Sequence, residues 1–217
     1  MKILFVLGGN SAFGISPIAR NQGNSLSKCG EEIVYFPIIG KGFVNYFKHI
    51  YLLKKHLSNN KYDVIHAHYS FSAFVATFAY AKPLVVSLMG SDAYDGYFFI
   101  LCIRIFSKFF WKHTIVKSTK MLDSFGRNFS RINSSVIPNG VDKDDFYSLN
   151  KRFCQKHLGW NHNKKHILFA ANPSRPEKNY ALAKNAFSLL DKENIELHSL
   201  INVSPEQMNL WINAADV

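Results

Sequence analysis

Short apolar runs alternate with longer segments of mixed character along the whole chain. The runs have the length and the branched residues typical of buried strands, and the longer segments have the spacing of amphipathic helices. The predicted strands are residues 3–7, 32–36, 63–67, 84–88, 113–117, 136–137, 166–171 and 195–201. The predicted helices are residues 17–29, 44–57, 71–80, 96–112, 177–190 and 205–213. Strands that alternate with helices predict an α/β protein with a mainly parallel sheet.

A domain boundary is predicted near Pro138-Asn139-Gly140, where the Asn-Gly pair is a turn signal and a more acidic stretch follows. We therefore expect one domain over residues 1–140 and a second over residues 141–217. The second part has only two clear strands, and residues 214–217 look like the start of another. A sheet that stopped there would leave a bare edge, so we expect the second domain to be incomplete.

Composition and charge narrow the function classes. Apolar residues make up 47% of the 217 residues, which excludes an intrinsically disordered chain. The net charge is +11, and residues 1–140 carry 16 basic against 6 acidic side chains, or +10. The positive electrostatic field of these side chains favours an anionic partner: a phosphate group, a membrane surface or a nucleic acid.

Cellular location is predicted from the cysteines and from the apolar runs. Three cysteines that lie far apart indicate reduced thiols in the cytoplasm rather than a disulfide framework or a zinc site. Neither a signal peptide nor a membrane-spanning segment is expected, because the apolar runs are too short.

A glycine-rich loop, residues 8–14, follows the first predicted strand and precedes a helix. Gly8 and Gly9 allow close backbone approach, and a helix N-terminus attracts anions. The spacing differs from the dinucleotide fingerprint, and no acidic residue closes the second strand. A ligand-binding loop and a tight strand–helix turn are both open readings of this segment.

Polar side chains end the third and fourth predicted strands. His66 and His68 share one face of their strand, and Ser91-Asp92 follows the next strand. Parallel sheets bind ligands at this carboxyl edge. Asp92 is predicted to accept substrate hydroxyls, to act as a base or to cap the next helix. The two histidines lack further metal-ligand residues nearby, so they predict no metal site, and a structural hydrogen bond is the alternative.

Arg175 and Lys178 lie between the end of a predicted strand and the first turn of a predicted helix. Two cations at a helix N-terminus suit a diphosphate, although a solvated basic turn is the alternative.

Two predicted helices combine lysines with aromatic residues. Lys48 and Lys55 lie in the first, and Arg104, Lys108 and Lys112 recur every four residues in the second. A basic face beside an aromatic one is typical of a helix at a membrane surface. Core helices with solvated lysine faces are the other interpretation.

The order of these segments resembles the retaining glycosyltransferases of family 4, which have the glycosyltransferase-B fold. The matching segments are Gly8-Gly9, residues 63–68, 85–92, 116–118, Pro138-Asn139-Gly140-Val141-Asp142, 167–169, 175–179 and 213–217. The string from Pro138 to Asp142 is the most specific of them.

The resemblance implies two Rossmann-like domains, an N-terminal one for the acceptor and a C-terminal one for a nucleotide-sugar donor. It implies metal-free sugar transfer with retention of configuration, without a cofactor, to a cell-envelope or lipid-linked glycan, by an enzyme on the inner membrane face. It assigns catalysis to Asp92 and His68, the acceptor site to Gly8, Gly9, Asn10 and Ser91, and the donor site to Asn139, Arg175, Lys178 and Asn179.

The chain departs from the family pattern in three places. Met89 stands where the family often has a histidine, and Pro173 stands five residues before Lys178, where the family usually has an arginine. The chain also ends before the family's glutamate-rich donor segment, so we expect no turnover by these residues alone. An inactive remnant and a non-specific polyanion-binding protein are the alternatives, although no nucleic-acid-binding motif is present.

Overall fold

Six parallel strands form the sheet of the first of two units into which the chain divides, Met1–Gly140 and Val141–Val217. The computed structural model describes residues 1–11, 14–40, 42–93, 96–126, 129, 133–190, 193–201 and 203–217. The strands of this sheet are β1 (Lys2–Gly8), β2 (Glu32–Ile38), β3 (Val64–His68), β4 (Leu84–Ser87), β5 (His113–Val116) and β6 (Ser134–Val136). Its helices are α1 (Pro17–Lys28), α2 (Phe43–Asn59), α3 (Ser70–Phe78), α4 (Tyr97–Phe109) and α5 (Thr119–Ser124).

The strand order is β2-β1-β3-β4-β5-β6, and all the pairings are parallel. This arrangement confirms the predicted α/β class and the parallel sheet. The chain runs from β1 outward to β2 and then returns to β3 on the other side of β1. The direction of winding therefore reverses between β1 and β3, and a crevice opens at their carboxyl ends.

The sheet separates two hydrophobic clusters, and β1 contributes to both. Leu4 and Val6 belong to the larger cluster, which also contains Leu53 of α2 and Ile103 of α4. Alternate residues of β1 belong to the smaller cluster, with Ala19 of α1. This alternation follows from the two-residue period of a strand, so β1 is buried on both faces.

An aromatic row connects the helices α2, α3 and α4. The ring of Tyr46 on α2 stacks on Phe71 of α3 with 5.2 Å between centroids, and Phe71 lies 5.1 Å from Phe99 of α4. Further along, Phe74 meets Phe106 edge to face at 4.8 Å. The chain has 19 phenylalanines, and those in this row pack the three helices against one another.

The second unit has a two-stranded parallel sheet. Its elements are α6 (Lys151–Leu158), β7 (Lys165–Phe169), α7 (Tyr180–Ser188), β8 (Ile195–Ser199) and α8 (Pro205–Ala214), with a 3₁₀ turn at Pro176–Lys178. After α8 the backbone runs beside β7: the Asp216 N–H donates to the carbonyl of His166, and the Leu168 N–H donates to that of Val217, both at 2.7 Å.

Three predicted helix features need correction. The helix that was expected to reach residue 112 ends at Phe109, so Lys112 is not on the helical face that carries Arg104 and Lys108. The helix that was expected to begin at residue 177 begins at Tyr180, because the 3₁₀ turn precedes it. The helices α5 and α6 were not predicted. None of the helices formed by the described residues is both long enough and apolar enough to cross a membrane.

Two adjacent leucines of α2 test the packing of the larger cluster. Leu53 is fully buried, whereas Leu52 is 37% exposed. We expect Leu53→Ala to lower the free energy of unfolding by about 2–5 kcal/mol, since it leaves a cavity, and Leu52→Ala to lower it by less than about 1 kcal/mol. Urea unfolding followed by circular dichroism measures both. Equal losses would contradict the described orientation of α2.

Candidate functional site

The crevice at the carboxyl ends of β1 and β3 holds a cavity of about 280 Å³. The loop after β1 contributes Gly8 and Asn10, and the end of β3 contributes His68 and Tyr69. Further lining residues come from the surrounding elements: Ser16, Tyr46, Ser72 and Met89. The cavity therefore lies at the reversal of strand order, where open α/β sheets bind ligands.

The loop after β1 is held by two contacts with the loop after β2. The amide of Asn10 donates to the carbonyl of Gly40 and accepts from the N–H of Gly40, both at 2.8 Å. The Gly9 N–H donates to the carbonyl of Ile38 at 2.8 Å. A side chain at Gly9 would lie 2.9 Å from Cβ of Pro37, so this position needs glycine for close backbone approach.

Only part of the predicted acceptor loop lines the cavity. Gly8 and Asn10 do so, whereas Gly9 packs against β2. Residues 12 and 13 of the same loop lie outside the described residues.

The two histidines of β3 share a face, as predicted, and stack with 4.3 Å between ring centroids. His66 Nε2 lies 2.9 Å from the hydroxyl of Ser87 on the neighbouring strand. His68 is buried against Phe5, and neither of its ring nitrogens has a hydrogen-bond partner among the described residues. His66 therefore makes the structural hydrogen bond, and His68 presents an unsatisfied ring to the cavity.

Burial keeps this histidine pair uncharged at neutral pH. Desolvation lowers the pKa of His66 to about 4, and the positive charge of Lys117 adds to the effect. Desolvation, His66 and Lys117 together lower the pKa of His68 well below its ordinary value. Burial also lowers the pKa of Lys117. A neutral imidazole both accepts and donates one hydrogen bond, which suits a sugar hydroxyl.

The carboxylate of Asp92 is fully buried beside this cavity. One of its oxygens accepts from the Ser70 N–H at the start of α3, at 2.9 Å, and the other accepts from the Met89 N–H. It thus caps α3, the helix before it in the chain. Ser91 is exposed in the 3₁₀ turn Ser91–Ala93 and is not among the residues that line the cavity.

Tyr69 was not identified from the sequence, although it directly follows the histidine strand. Its φ of 78° places a non-glycine residue in a rarely populated region, and its N–H donates to the carbonyl of Ser87 at 2.8 Å. Such backbone conformations persist only where surrounding contacts hold them, and they cluster at functional sites. Tyr46 and Ser72 also line the cavity but were not identified from the sequence. They lie on α2 and α3, and the sequence does not show that these helices meet at the cavity.

The predicted donor residues of the second unit lie between β7 and α7. The guanidinium of Arg175 contacts Glu177 at 2.6 and 2.7 Å, and Lys178 ends the 3₁₀ turn. Asn179 has a left-handed φ of 54°, and its side chain accepts from the Leu182 N–H at 3.4 Å, so it caps α7. Asn139 is exposed in the loop after β6 of the first unit.

The second unit also contains a group that sequence reasoning missed. Among the described residues, His166, Glu196 and His198 bring ligand atoms within 4.8 Å of one another. The signal in the sequence was weak, because thirty residues separate His166 from the Glu-x-His pair.

The neutral histidine pair predicts a pH dependence of stability. The folded pKa of His66 is about 4 and the unfolded value is about 6.5, so the unfolded chain takes up the proton first. The free energy of unfolding is therefore highest above pH 6.5 and falls as the pH decreases toward 4. His66 accounts for a loss of about 3 kcal/mol over this range. Thermal unfolding at several pH values measures the loss.

His66→Gln should reduce this pH dependence, because glutamine does not titrate, whereas His68 keeps its own contribution. The exposed His162 gives the matched control, since His162→Gln should keep the dependence of the wild type. Equal slopes in the wild type and in His66→Gln would show that His66 does not contribute to it.

Three solved structures share this fold. Sucrose-phosphate synthase from Thermosynechococcus elongatus has a TM-score of 0.69 at 12% identity, over 99% of this chain and 73% of that chain. HepE from Anabaena, in complex with UDP and glucose, has a TM-score of 0.60 at 17% identity. The alignment covers 98% of this chain and 65% of HepE. The apo form of the lipopolysaccharide outer core galactosyltransferase WaaB has a TM-score of 0.52 at 14% identity. The alignment covers 99% of this chain and 72% of WaaB.

At these identities the likeness shows the fold alone, and this chain spans roughly two thirds to three quarters of the length of those proteins. Among curated proteins, none has a sequence that matches it. The sequence model of Glycosyltransferase Family 4 matches residues 15–145, which extend from α1 past β6 and include His68 and Tyr69 of the cavity but not Gly8 and Asn10. Because this match extends over more than half of the chain, the protein belongs to glycosyltransferase family 4.

Proposed function

We propose that this protein takes part in the transfer of a sugar from a nucleotide-sugar donor to a cell-envelope or lipid-linked glycan, with retention of configuration. The observation that carries the proposal is the crevice of a family 4 chain, into which the carboxyl end of β3 presents an uncharged His68. The structural likeness to a lipopolysaccharide galactosyltransferase supports the choice of an envelope glycan as acceptor.

The first unit is proposed to bind the acceptor. A sugar hydroxyl that reached His68 would satisfy a buried ring whose nitrogens have no partner among the described residues, and such groups are costly when left unpaired. Gly8 and Asn10 line the same cavity, and Tyr46 supplies an aromatic wall. We therefore assign a contact with the acceptor to His68, which the resemblance places in catalysis.

Asp92 has a positioning role in this proposal. The resemblance assigns it to catalysis, but both of its oxygens accept backbone N–H groups and the side chain is buried. Its carboxylate holds the backbone of Ser70, which follows the cavity-lining Tyr69, and the backbone of Met89, which lines the cavity itself. Gly9 holds the loop after β1 against β2, because its N–H donates to the carbonyl of Ile38.

The second unit is proposed to bind the donor. HepE has been solved with UDP and with UDP-glucose, so UDP is a suitable probe. Arg175, Lys178 and Asn179 precede α7 and provide two cations and a helix N-terminus for a diphosphate. In the free protein Glu177 holds the Arg175 guanidinium, so the diphosphate would replace that carboxylate.

Titration of UDP into single variants tests the donor site. Arg175→Ala and Lys178→Ala should each weaken binding by about 1.5–3 kcal/mol, or roughly 10- to 150-fold, because each removes a charge-assisted hydrogen bond. Isothermal titration calorimetry measures the affinity.

Lys184, an exposed lysine on α7, gives the matched control, and Lys184→Ala should bind UDP as the wild type does. Glu177→Ala should tighten binding, since it frees the guanidinium. Unchanged affinity in both the Arg175 and the Lys178 variants would exclude this donor site.

A membrane surface is proposed as a further partner of the first unit. Val44, Phe47 and Tyr51 form an exposed apolar stripe on α2, and each is at least 68% exposed. Lys48 and Lys55 accompany them on the same helix. On α4 the exposed residues Phe98, Ile105 and Phe109 form a second stripe, and the ammonium of Lys108 lies 5.2 Å from the ring of Phe109.

These stripes favour a lipid partner over a nucleic acid. Exposed aromatic and aliphatic side chains gain free energy in the acyl region of a bilayer, and the lysines beside them meet anionic headgroups. A nucleic acid would use the charges but would leave the aliphatic residues in water.

Vesicle co-sedimentation tests the membrane proposal. Binding should rise with the fraction of anionic lipid and fall with salt, because each lysine near the surface contributes about 1 kcal/mol. Phe47→Ser should weaken binding, whereas Leu189→Ser, which alters an exposed leucine of the second unit, should not. Binding that ignores both lipid charge and the Phe47 substitution would contradict the proposal.

A further inference from the structure

We propose that His166, Glu196 and His198 form a site for a divalent transition-metal ion of the zinc type in the second unit. The three residues come from neighbouring parallel strands, with His166 on β7 paired in register with Glu196 on β8. His198 lies two residues beyond Glu196, so its side chain is on the same face of the sheet. The sheet itself therefore brings two imidazoles and one carboxylate together.

The distances between the ligand atoms suit one metal ion. His166 Nδ1 lies 2.9 Å from His198 Nε2, and Glu196 Oε2 lies 3.7 Å from each of these nitrogens. In a tetrahedral zinc site with metal–ligand distances of about 2.0–2.1 Å, neighbouring ligand atoms are about 3.3–3.4 Å apart. Side-chain adjustments of about half an ångström reach that geometry, and a fourth position remains for water or another ligand.

The ring of His166 is oriented for metal binding. Its Nε2 lies 2.9 Å from the carbonyl oxygen of Asn161, and a carbonyl only accepts, so Nε2 carries the hydrogen. The lone pair of Nδ1 therefore points at the other two ligands. A histidine whose second nitrogen donates to a backbone carbonyl is the usual arrangement in metal sites, because that bond fixes the tautomer.

The ring of His198 is also held in place. Trp160 stacks on it with 3.7 Å between centroids and 7° between planes, and Trp211 meets Trp160 edge to face at 5.4 Å. In the empty site His198 Nε2–H donates to His166 Nδ1. Metal binding replaces that hydrogen, and His198 takes one up at Nδ1 instead.

Glu196 supplies the negative charge of the proposed site. The other oxygen, Oε1, pairs with the ammonium of Lys164 at 3.1 Å, which fixes the carboxylate and leaves Oε2 toward the histidines. Two neutral imidazole nitrogens and one carboxylate oxygen form a set that Zn²⁺ binds well. Such an ion would tie β8 to β7 and so stabilise the second unit, independently of the proposed transferase activity.

Zn²⁺ titration into the chelator-treated chain tests the site. We expect one Zn²⁺ to bind per chain, and we expect His198→Ala to weaken that binding at least about 100-fold, because loss of a second-shell partner alone costs about 10- to 100-fold. Glu196→Gln, which keeps the size of a partly exposed side chain, should weaken it at least about 10-fold. His162→Ala removes an exposed histidine of the same unit and should leave the affinity unchanged.

Anomalous diffraction from wild-type crystals grown with Zn²⁺ keeps the test independent of how well the variants fold. A peak within about 2.0–2.2 Å of His166 Nδ1, His198 Nε2 and Glu196 Oε2 is the expected result. The proposal would be overturned by an empty site in such crystals, or by Zn²⁺ affinity that is the same in the wild type, His198→Ala and Glu196→Gln. In either case the two histidines are a hydrogen-bonded pair without a metal.

Discussion

The reversal of strand order between β1 and β3 is the constraint on which the candidate site depends. The chain leaves β1 toward β2 on one side and returns to β3 on the other, so the two connections diverge at the carboxyl edge. Gly8, Asn10 and His68 face the cavity between them. The chemistry of the crevice therefore follows from the topology first and from particular side chains second.

Dense packing then decides the charge state of the groups in the crevice. Because β1 is buried on both faces, Phe5 closes one side of the histidine pair and leaves the imidazoles in a dry environment. The neutral form is favoured there, and Ser87 satisfies His66 while His68 stays without a partner among the described residues. Asp92 remains buried beside them because backbone N–H groups supply its hydrogen bonds.

The sequence was informative where a local pattern decides the structure. Strands rich in valine, leucine and isoleucine, such as Leu84–Ser87, were found because a fully buried strand is apolar throughout. The helix α4 was extended too far because Phe110 and Trp111 continue its aromatic pattern, although the backbone turns after Phe109. The helix α6 was missed even though Asn150 caps its start and Gly159 ends it, since its length is only eight residues.

The contacts between distant segments could not be read from the sequence in the same way. The pairing of Asn10 with Gly40, and the meeting of His166 with His198, depend on which strands become neighbours. The Arg175–Glu177 ion pair is local, but the spacing of the two residues alone did not identify Glu177 as the partner of the guanidinium.

The central claim is that the crevice presents an uncharged, buried imidazole to its ligand. Nitrogen NMR of the ring of His68, in a chain labelled at histidine, measures this directly. We expect the ring to be neutral at pH 6.5, where an exposed histidine is about half protonated, because burial lowers its pKa well below the ordinary value. A ring that titrates near pH 6.5, as an exposed histidine does, would contradict the account.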